Sequence, residues 1–401
     1  MRMLRPYTTT LRVCYFGTYR ANYARNTIMI DGLRRQGVEV VECHEMLWHS
    51  FEDRERVASG GWFSPAFALR VLRTYMRLLW RYARMPKDFD VLVVGYPGQF
   101  DLFLARLLTW LAGKPLVWDV LMSIYLICLE RGLHKRSPFT IAIIRIAELL
   151  ACRLPDRLIL DTQTYVDWFC ASYGLDPQRF RRVPLTADER LFDPALSARA
   201  AHDPAHFRVL YYGTFIPNHG VAYIIEAACL LADQPTIFFE FVGDGPQLAL
   251  AQELARSHGL RNVAFSGWVE KDVLAERIAA ADVCLGAFGT TPQSLMTVHN
   301  KIYEAMAMAR PVITGSSPAV RETLSDGEQI FLCDRREPRS LADLLLRLRD
   351  CPELAAQVAQ QGRHYFETHC SVDQTSAKFA GHLRELVETW RTKAEKRKTR
   401  S

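Results

Sequence analysis

An alternation that runs twice constrains this chain more than any other feature: short apolar runs, each followed by a longer stretch with helical spacing. In the first half the expected strands are 11–16, 38–41, 89–94, 116–118 and 158–160, with a helix over 26–36 closed by Gly37. Such alternation predicts a parallel sheet covered by helices on both faces. A polar stretch with Ala and Pro, 193–206, breaks the pattern and reads as a linker. The alternation then restarts, with strands at 209–212, 237–242, 263–265, 283–285 and 312–314. Helices are expected between them at 222–231, 248–257, 272–280 and 301–309. From Pro338 onward the chain is mainly helical, and Ser371 reads as the N-cap of a last helix reaching Trp390.

The expected fold class is therefore α/β, with two Rossmann-like domains. The first spans 1–198 and the second 199–375. A segment 376–401 is expected to form a C-terminal helix packing back toward the first domain, plus a basic tail. Doubly wound sheets bind ligands at the carboxyl ends of their strands. Two of them facing each other across a cleft are a transferase or epimerase layout more than a simple binding module.

Composition supports two cores: of 401 residues, 49% are hydrophobic and 23% charged. A net charge of +6 is too mild to indicate nucleic acid. The ten cysteines are scattered with no Cys-x-x-Cys pair, which fits neither a zinc site nor a disulfide framework and agrees with a reducing cytosol. Arg2 and Arg5 have no long apolar stretch behind them, so no signal peptide is expected. The most apolar region, 100–129, is interrupted by Asp101, Arg106, Lys114 and Asp119, so no membrane span is expected either.

Four segments of the second half carry candidate chemistry. Tyr212-Gly213-Thr214-Phe215-Ile216-Pro217-Asn218-His219-Gly220 lies between a strand and a helix. Gly213 permits a tight turn, and the helix behind it offers N–H groups suited to a diphosphate; an ordinary βα loop reads the same way. In Phe241-Val-Gly243-Asp-Gly245-Pro246 the glycines let a ligand approach the backbone, or simply start a helix. Phe265-Ser-Gly267-Trp268-Val269 is either a base-contacting strand end or a plain terminus. In His299-Asn300-Lys301-Ile-Tyr-Glu304, Lys301 and Glu304 share a helix face. Together they suit a phosphate and a ribose; separately they are a surface ion pair. The four in series favour a ligand site.

With these motifs in order, nearly the whole chain resembles the GT-B glycosyltransferases of the family 4, or group 1, type. The matching stretches are Gly213…His219-Gly220-Val, Val242-Gly-Asp-Gly-Pro246, Val263-Ala-Phe-Ser-Gly267 and Lys301…Glu304-Ala-Met-Ala…Pro311-Val-Ile-Thr. Leu116-Val-Trp-Asp119-Val-Leu-Met-Ser123-Ile-Tyr125 and Leu158-Ile-Leu-Asp161 resemble the family's less regular half. The resemblance implies a retaining, metal-independent transfer of a sugar from a nucleoside diphosphate sugar. That donor is a substrate, and neither cofactor nor metal is expected. By the same resemblance Glu304 binds the donor ribose and Trp268 with Val269 contacts the base. Gly17, with Thr18 beside it, closes over the diphosphate, and Asp119 lies near the donor sugar and the reacting hydroxyl.

The chain departs from the family's pattern in two places. The first glutamate of the paired motif falls at Met296, and the usual Arg and Lys of the loop after the first strand of this domain become Thr214 and His219. The catalytic set expected is accordingly Asp119, Lys301 and Glu304. Lys301, His219 and the helix following Gly220 would share the charge of the leaving diphosphate. The donor set is Gly17, Thr18, Gly213, Thr214, His219, Gly243, Gly245, Trp268, Val269, Lys301 and Glu304.

A second theme lies in the first half. Ser64-Pro65 opens an expected helix to Arg84 in which Arg70, Arg73, Arg77, Arg81 and Arg84 recur every three or four residues. No Asp or Glu occurs between Glu55 and Asp88. Arg391, Lys393, Lys396, Arg397, Lys398 and Arg400 form a second basic patch in the tail. The stripe reads as contact with an anionic membrane surface, or as a solvated face.

These readings give a cytoplasmic glycosyltransferase of polysaccharide biosynthesis, peripheral on the inner face of the membrane, with a glycan or lipid-linked acceptor and no nucleic acid. Two alternatives remain: a nucleotide-sugar epimerase on the same fold, and a non-catalytic nucleotide-sugar-binding scaffold suggested by Met296 and Thr214. A dehydrogenase is a poor fit, because Gly17-Thr-Tyr-Arg-Ala-Asn stands where Gly-x-Gly-x-x-Gly would be.

Overall fold

The computed structural model describes residues 10–21, 23–47, 64–199 and 205–399. The chain forms two compact units. Unit 1 comprises 1–161, 166–183 and 375–401; unit 2 comprises 162–165 and 184–374.

In unit 1 the elements run β1 (Arg12–Gly17), α1 (Ala24–Arg35), β2 (Glu39–His44), α2 (Pro65–Arg84), β3 (Val91–Val94), α3 (Asp101–Ala112) and β4 (Leu116–Asp119). They continue with α4 (Ile124–Glu130), α5 (Leu133–Arg136), α6 (Pro138–Arg153), β5 (Arg157–Leu160), α7 (Gln163–Tyr173) and β6 (Phe180–Arg182). The six strands are parallel in the order β2-β1-β3-β4-β5-β6. Central strands β3 and β4 are buried along their whole length, as parallel strands under two helical layers must be.

In unit 2 the elements run α8 (Pro194–Arg199), β7 (Phe207–Tyr212), α9 (Val221–Leu230), β8 (Ile237–Val242), α10 (Leu248–Ser257), β9 (Val263–Gly267), α11 (Lys271–Ala280) and β10 (Val283–Leu285). There follow α12 (Pro292–Met296), α13 (Asn300–Ala307), β11 (Val312–Gly315), α14 (Pro318–Arg321), β12 (Phe331–Cys333), α15 (Pro338–Asp350) and α16 (Pro352–Tyr365). This sheet is also six-stranded and parallel, ordered β12-β11-β10-β7-β8-β9. Val209, Phe239, Leu285 and Ile313 from its strands join Ile224, Leu345 and Val358 from its helices in one apolar core. Two parallel six-stranded sheets with flanking helices are the GT-B fold class expected from the sequence.

The expected elements sit within a few residues of the observed ones, with three differences. Edge strands β6 and β12 are three residues each, too short to show an alternation. The stretch 193–206 lies inside unit 2, and its described part contains helix α8, formed once Pro194 occupies the first turn. The last helix, α17 (Val372–Lys398), runs beyond Trp390, and Ser371 Oγ accepts the Gln374 amide at 3.3 Å. From residue 375 onward α17 belongs to unit 1, where Phe379, Leu383, Leu386 and Val387 are buried and the Trp390 indole donates to the Gly113 carbonyl. In the tail, Arg391 pairs with Asp90, which removes one charge from the expected basic patch; Arg400 lies outside the described residues. No described helix is long and apolar enough to cross a membrane.

Candidate functional site

The carboxyl ends of β7, β8 and β9 are laced together by main chain. The Gly213 amide donates to the Val242 carbonyl (2.9 Å), Gly243 to Gly267 (2.7 Å) and Phe215 to Asp244 (2.9 Å). Gly213, Gly243 and Gly245 all have φ between 131° and 149°. At Gly243 a Cβ would overlap the Gly213 carbonyl oxygen, and at Gly245 it would meet the Phe215 amide nitrogen at 2.7 Å. The glycines after β8 are therefore required by a neighbouring loop. This requirement holds whether or not a ligand approaches the same backbone.

Gly213 is different, because its open side faces side chains. A Cβ there would lie 3.1 Å from Lys301 Nζ and 3.5 Å from His219 Cε1. Lys301 sits in the first turn of α13 and is buried, with 6% of its surface exposed. Its ammonium has no hydrogen-bond partner among the described residues. It stands 4.2 Å from the Tyr211 ring centroid, a cation–π contact that recovers part of the lost hydration. Tyr212 fixes the helix start by donating its hydroxyl to the Lys301 carbonyl at 2.8 Å. Burial pushes the Lys301 ammonium down to about 7, against the pull of Glu304 one turn along. Burial also pushes Glu304 up to about 7, opposed by Lys271, Lys301 and a hydrogen bond from Tyr212. The two groups thus titrate together near neutrality.

His219, expected to share the charge of the diphosphate with Lys301, is held neutral. Burial, then Lys301 and His299, hold its imidazole well below the ordinary histidine range. Its Nδ1 lies 2.5 Å from the Thr214 carbonyl and 3.0 Å from the Tyr211 hydroxyl. A carbonyl only accepts, so Nδ1 carries the single proton and Nε2 is bare. The His299 ring is 5.2 Å away and is pushed down to about 3 by burial, Lys301 and Arg335. Lys301 is thus the cation of this group, and two neutral imidazoles surround it. Thr214 contributes its carbonyl to His219.

Trp268 follows β9 with 68% of its surface exposed, Val269 is half-buried beside it, and Gly267 turns the chain at φ 66°. Met296, expected to stand in place of a glutamate, is buried at the end of α12, and its carbonyl accepts the Thr162 hydroxyl at 2.6 Å. Motif reading missed Arg335. This arginine, just past β12, donates to the Ser316 carbonyl (2.8 Å), the Gly315 carbonyl (3.0 Å) and Ser294 Oγ (2.9 Å), and also to the Gly289 carbonyl. It ties the loops after β10 and β11 to α12. Burial lowers it to about 10, so it stays charged at neutral pH.

The remaining expected residues lie in unit 1, and the structure gives two of them other work. Asp119, at the end of β4, is completely buried in a fork with Arg25, with Nε–Oδ2 at 2.9 Å and Nη2–Oδ1 at 3.0 Å. Arg25 also donates to the Val183 carbonyl. A carboxylate with both oxygens so engaged acts as a strut, and in this structure Asp119 is held by Arg25. Thr18 is engaged likewise. Its amide (2.7 Å) and its hydroxyl (3.1 Å) both bond Asp101, which also accepts from Tyr75, so nothing on Thr18 is left over for a diphosphate. Burial raises Asp101 to about 6. Gly17 adopts φ 128° where it passes this carboxylate.

Gly213, Thr214, His219, Lys301 and Glu304 thus form one group in unit 2, with Gly243, Gly245, Trp268 and Val269 at the same edge of the sheet. A separate cavity of about 370 Å³ lies between the β7–β8–β9 face and the end of α11, lined by Arg208, Phe238, Glu240, Ser266 and Arg277. Glu240 there is already engaged by Arg277 and Ser266.

A family model described as glycosyl transferases group 1 matches residues 206–350. Alpha-D-kanosaminyltransferase of Streptomyces kanamyceticus is 26% identical over 292 residues, covering 71% of this chain and 74% of that one. Among solved structures, Anabaena Alr3699/HepE in complex with UDP-glucose has a TM-score of 0.66 at 18% identity, covering 94% of this chain and 99% of that one. Sucrose-phosphate synthase from Thermosynechococcus elongatus has a TM-score of 0.68 at 14% identity, covering 94% and 100%. At these identities the two structures speak for the fold.

Proposed function

We propose that the chain is a GT-B glycosyltransferase of the group 1 type, one that takes a nucleoside diphosphate sugar as donor and passes the sugar to a glycan or lipid-linked acceptor. The Lys301 ammonium carries this reading: a buried cation without a hydrogen-bond partner among the described residues, facing the glycine of the loop after β7. Leaving such a group unpaired costs stability, and an anion arriving at the loop would complete it. The likeness to a fold seen with UDP-glucose supports the same donor class.

The chemistry asks for little else. The bond from the anomeric carbon to the diphosphate oxygen breaks, and that carbon bonds the acceptor oxygen. The nucleoside diphosphate leaves with the bonding pair, and the acceptor's proton passes to it or to water. Charge accumulates on the departing oxygen, where a desolvated ammonium is worth far more than in water. Glu304, on the same helix face as Lys301, suits the ribose hydroxyls, and the exposed Trp268 suits the base. We propose that transfer retains anomeric configuration and requires no metal; a protein cation already in place at the loop supports the second part. The acceptor is proposed to belong to polysaccharide biosynthesis at the inner face of the membrane, which the arginine stripe of α2 supports.

A thermal-shift panel of UDP-, GDP-, ADP- and dTDP-sugars, with and without EDTA, tests this on the wild type and on Lys301→Ala. One selective, EDTA-insensitive stabilisation that the variant loses is expected. A ligand at 100 times its Kd stabilises by ~2.7 kcal/mol. Silence from every nucleotide would overturn the donor assignment.

A further inference from the structure

The outer surface of unit 1 carries a face that sugar transfer does not require. Strand order places it. The connections β2→β3 through α2, β3→β4 through α3 and β4→β5 through α4–α6 all step the same way across the sheet. Right-handed crossovers then put α2, α3 and α6 side by side on one face, and α1, which steps the other way, on the opposite face. Tyr75 of α2 bonds Asp101 at the start of α3, and Arg106 of α3 bonds Asp156 just past α6.

A surface helix of a water-soluble domain normally turns polar side chains outward. In α3 all four exposed side chains are apolar: Phe103, Leu107, Trp110 and Leu111, the last two with 74% and 70% of their surface exposed. Exposed Phe139, Ile143, Ile146 and Leu150 extend the same surface along α6. On α2, exposed Leu72, Met76 and Trp80 alternate with exposed Arg73 and Arg77, and the Arg84 guanidinium lies 3.8 Å over the Trp80 ring. Helices of 12 to 20 residues are ~18–30 Å long and pack ~10 Å apart, so the face spans several hundred Å², the scale at which an exposed apolar patch marks an interaction site.

Charge settles the kind of partner. No carboxylate is exposed on these three helices: α2 has none, and the single acid of each of the others, Asp101 and Glu148, is 1% exposed. Glu148 is spent inside, accepting from Ser123, Tyr173 and the Ile124 amide. Arg73 and Arg77 have no ion-pair partner among the described residues. Exposed apolar side chains, two tryptophans and unopposed arginines together match a leaflet, with acyl chains below and phosphates at the rim. We infer that α2, α3 and α6 form a monotopic docking face that seats unit 1 on an anionic phospholipid leaflet, with α3 dipping into the acyl boundary. This deepens the membrane-side part of the proposed function, resting on it only for the lipid-linked acceptor.

The test uses the full chain without nucleotide or acceptor, so a failed donor assignment leaves it untouched. Flotation with phosphatidylcholine vesicles, with and without phosphatidylglycerol, is read beside tryptophan fluorescence. The wild type floats with the anionic vesicles, and its emission shifts to the blue. Leu107→Glu with Leu111→Glu lowers the partition coefficient by at least about tenfold at any salt. Each of Arg73→Gln and Arg77→Gln lowers it about fivefold at low salt, and the loss fades as salt rises. All four positions are exposed, and unchanged circular-dichroism melting confirms that the variants fold. Absence of vesicle binding overturns the inference, as does binding that the α3 variants leave unchanged. A dimer in sedimentation velocity that Leu107→Glu dissociates, with no vesicle binding, would assign the face to a second copy instead.

Discussion

Each unit buries a cation at the carboxyl side of its sheet, and the two are finished in opposite ways. In unit 1, Arg25 meets both oxygens of Asp119 and the Val183 carbonyl, so charge and hydrogen-bonding capacity are used up inside the protein. In unit 2, Lys301 is buried almost as deeply, and its ammonium bonds nothing among the described residues. A buried ion that is completely paired belongs to the scaffold, whereas one left incomplete stores a cost that only a ligand relieves. Both units inherit the same strand-end geometry. The number of partners at the ion, rather than its position, separates framework from binding site.

The sharpest way to break this comparison is to disarm the paired ion. Arg25→Ala should destabilise the protein by ~3–5 kcal/mol, seen as a lowered Tm, because Asp119 is left buried and alone. Should Asp119→Asn instead preserve Tm and abolish turnover, Asp119 returns to the chemistry and the contrast collapses.

Next in size, Lys301→Ala should lower kcat/KM by ~10²–10³, or about 2.7–4 kcal/mol of transition-state stabilisation. Lys301→Met should leave the melting temperature of the free protein unchanged or raised. A Met variant that melts earlier would show that the ammonium holds the fold together after all.

Acidity gives a graded version of the same test. Lys301 titrates at about 7 in the free protein, so nucleotide affinity should fall about tenfold per pH unit above that value. Lys301→Arg should flatten the profile, and a wild type with no slope there would exclude Lys301 as the phosphate partner. The folded value lies below the unfolded 10.5, so Lys301's own contribution to stability rises with pH across the interval where affinity falls. His299, also depressed, contributes stability that is present above pH 6.5 and is lost as the pH falls toward about 3, and the lowered His219 acts in the same direction. Each is worth at most ~1.4 kcal/mol per unit while it titrates.

The smallest effect belongs to Trp268. Removing an exposed stacking surface should weaken donor binding by ~1–3 kcal/mol while kcat holds in calorimetry and steady-state kinetics run side by side. A Trp268→Ala variant that binds every nucleotide normally would move the base elsewhere.

Local periodicity made most of the fold legible. Val283–Leu285 and Leu248–Ser257 were readable to the residue because apolar spacing is set by the sheet and helix beneath. Phe180–Arg182 and Phe331–Cys333 were not, since an edge strand of three residues pairs on one side and needs no pattern. The glycines after β7 and β8 were visible as punctuation, but whether a ligand or a neighbouring loop required them depends on residues some thirty to ninety positions away. Arg25 and Arg335 escaped notice for the same reason: the partners that define them lie 94 and 158 residues away for the first, and 19 to 46 for the second. Asp119 was conspicuous at the end of its strand, and its partner was invisible.

The interleaving of the two units has a consequence for how the chain is made. Residues 184–374 of unit 2 emerge from the ribosome as one stretch, while unit 1, begun first, lacks the helix bearing Phe379, Leu383 and Leu386. Unit 1 must therefore carry an uncovered apolar surface through the synthesis of the whole of unit 2. The half of the molecule encoded first is the half completed last, and a stalled or clipped chain exposes that surface even when unit 2 is intact.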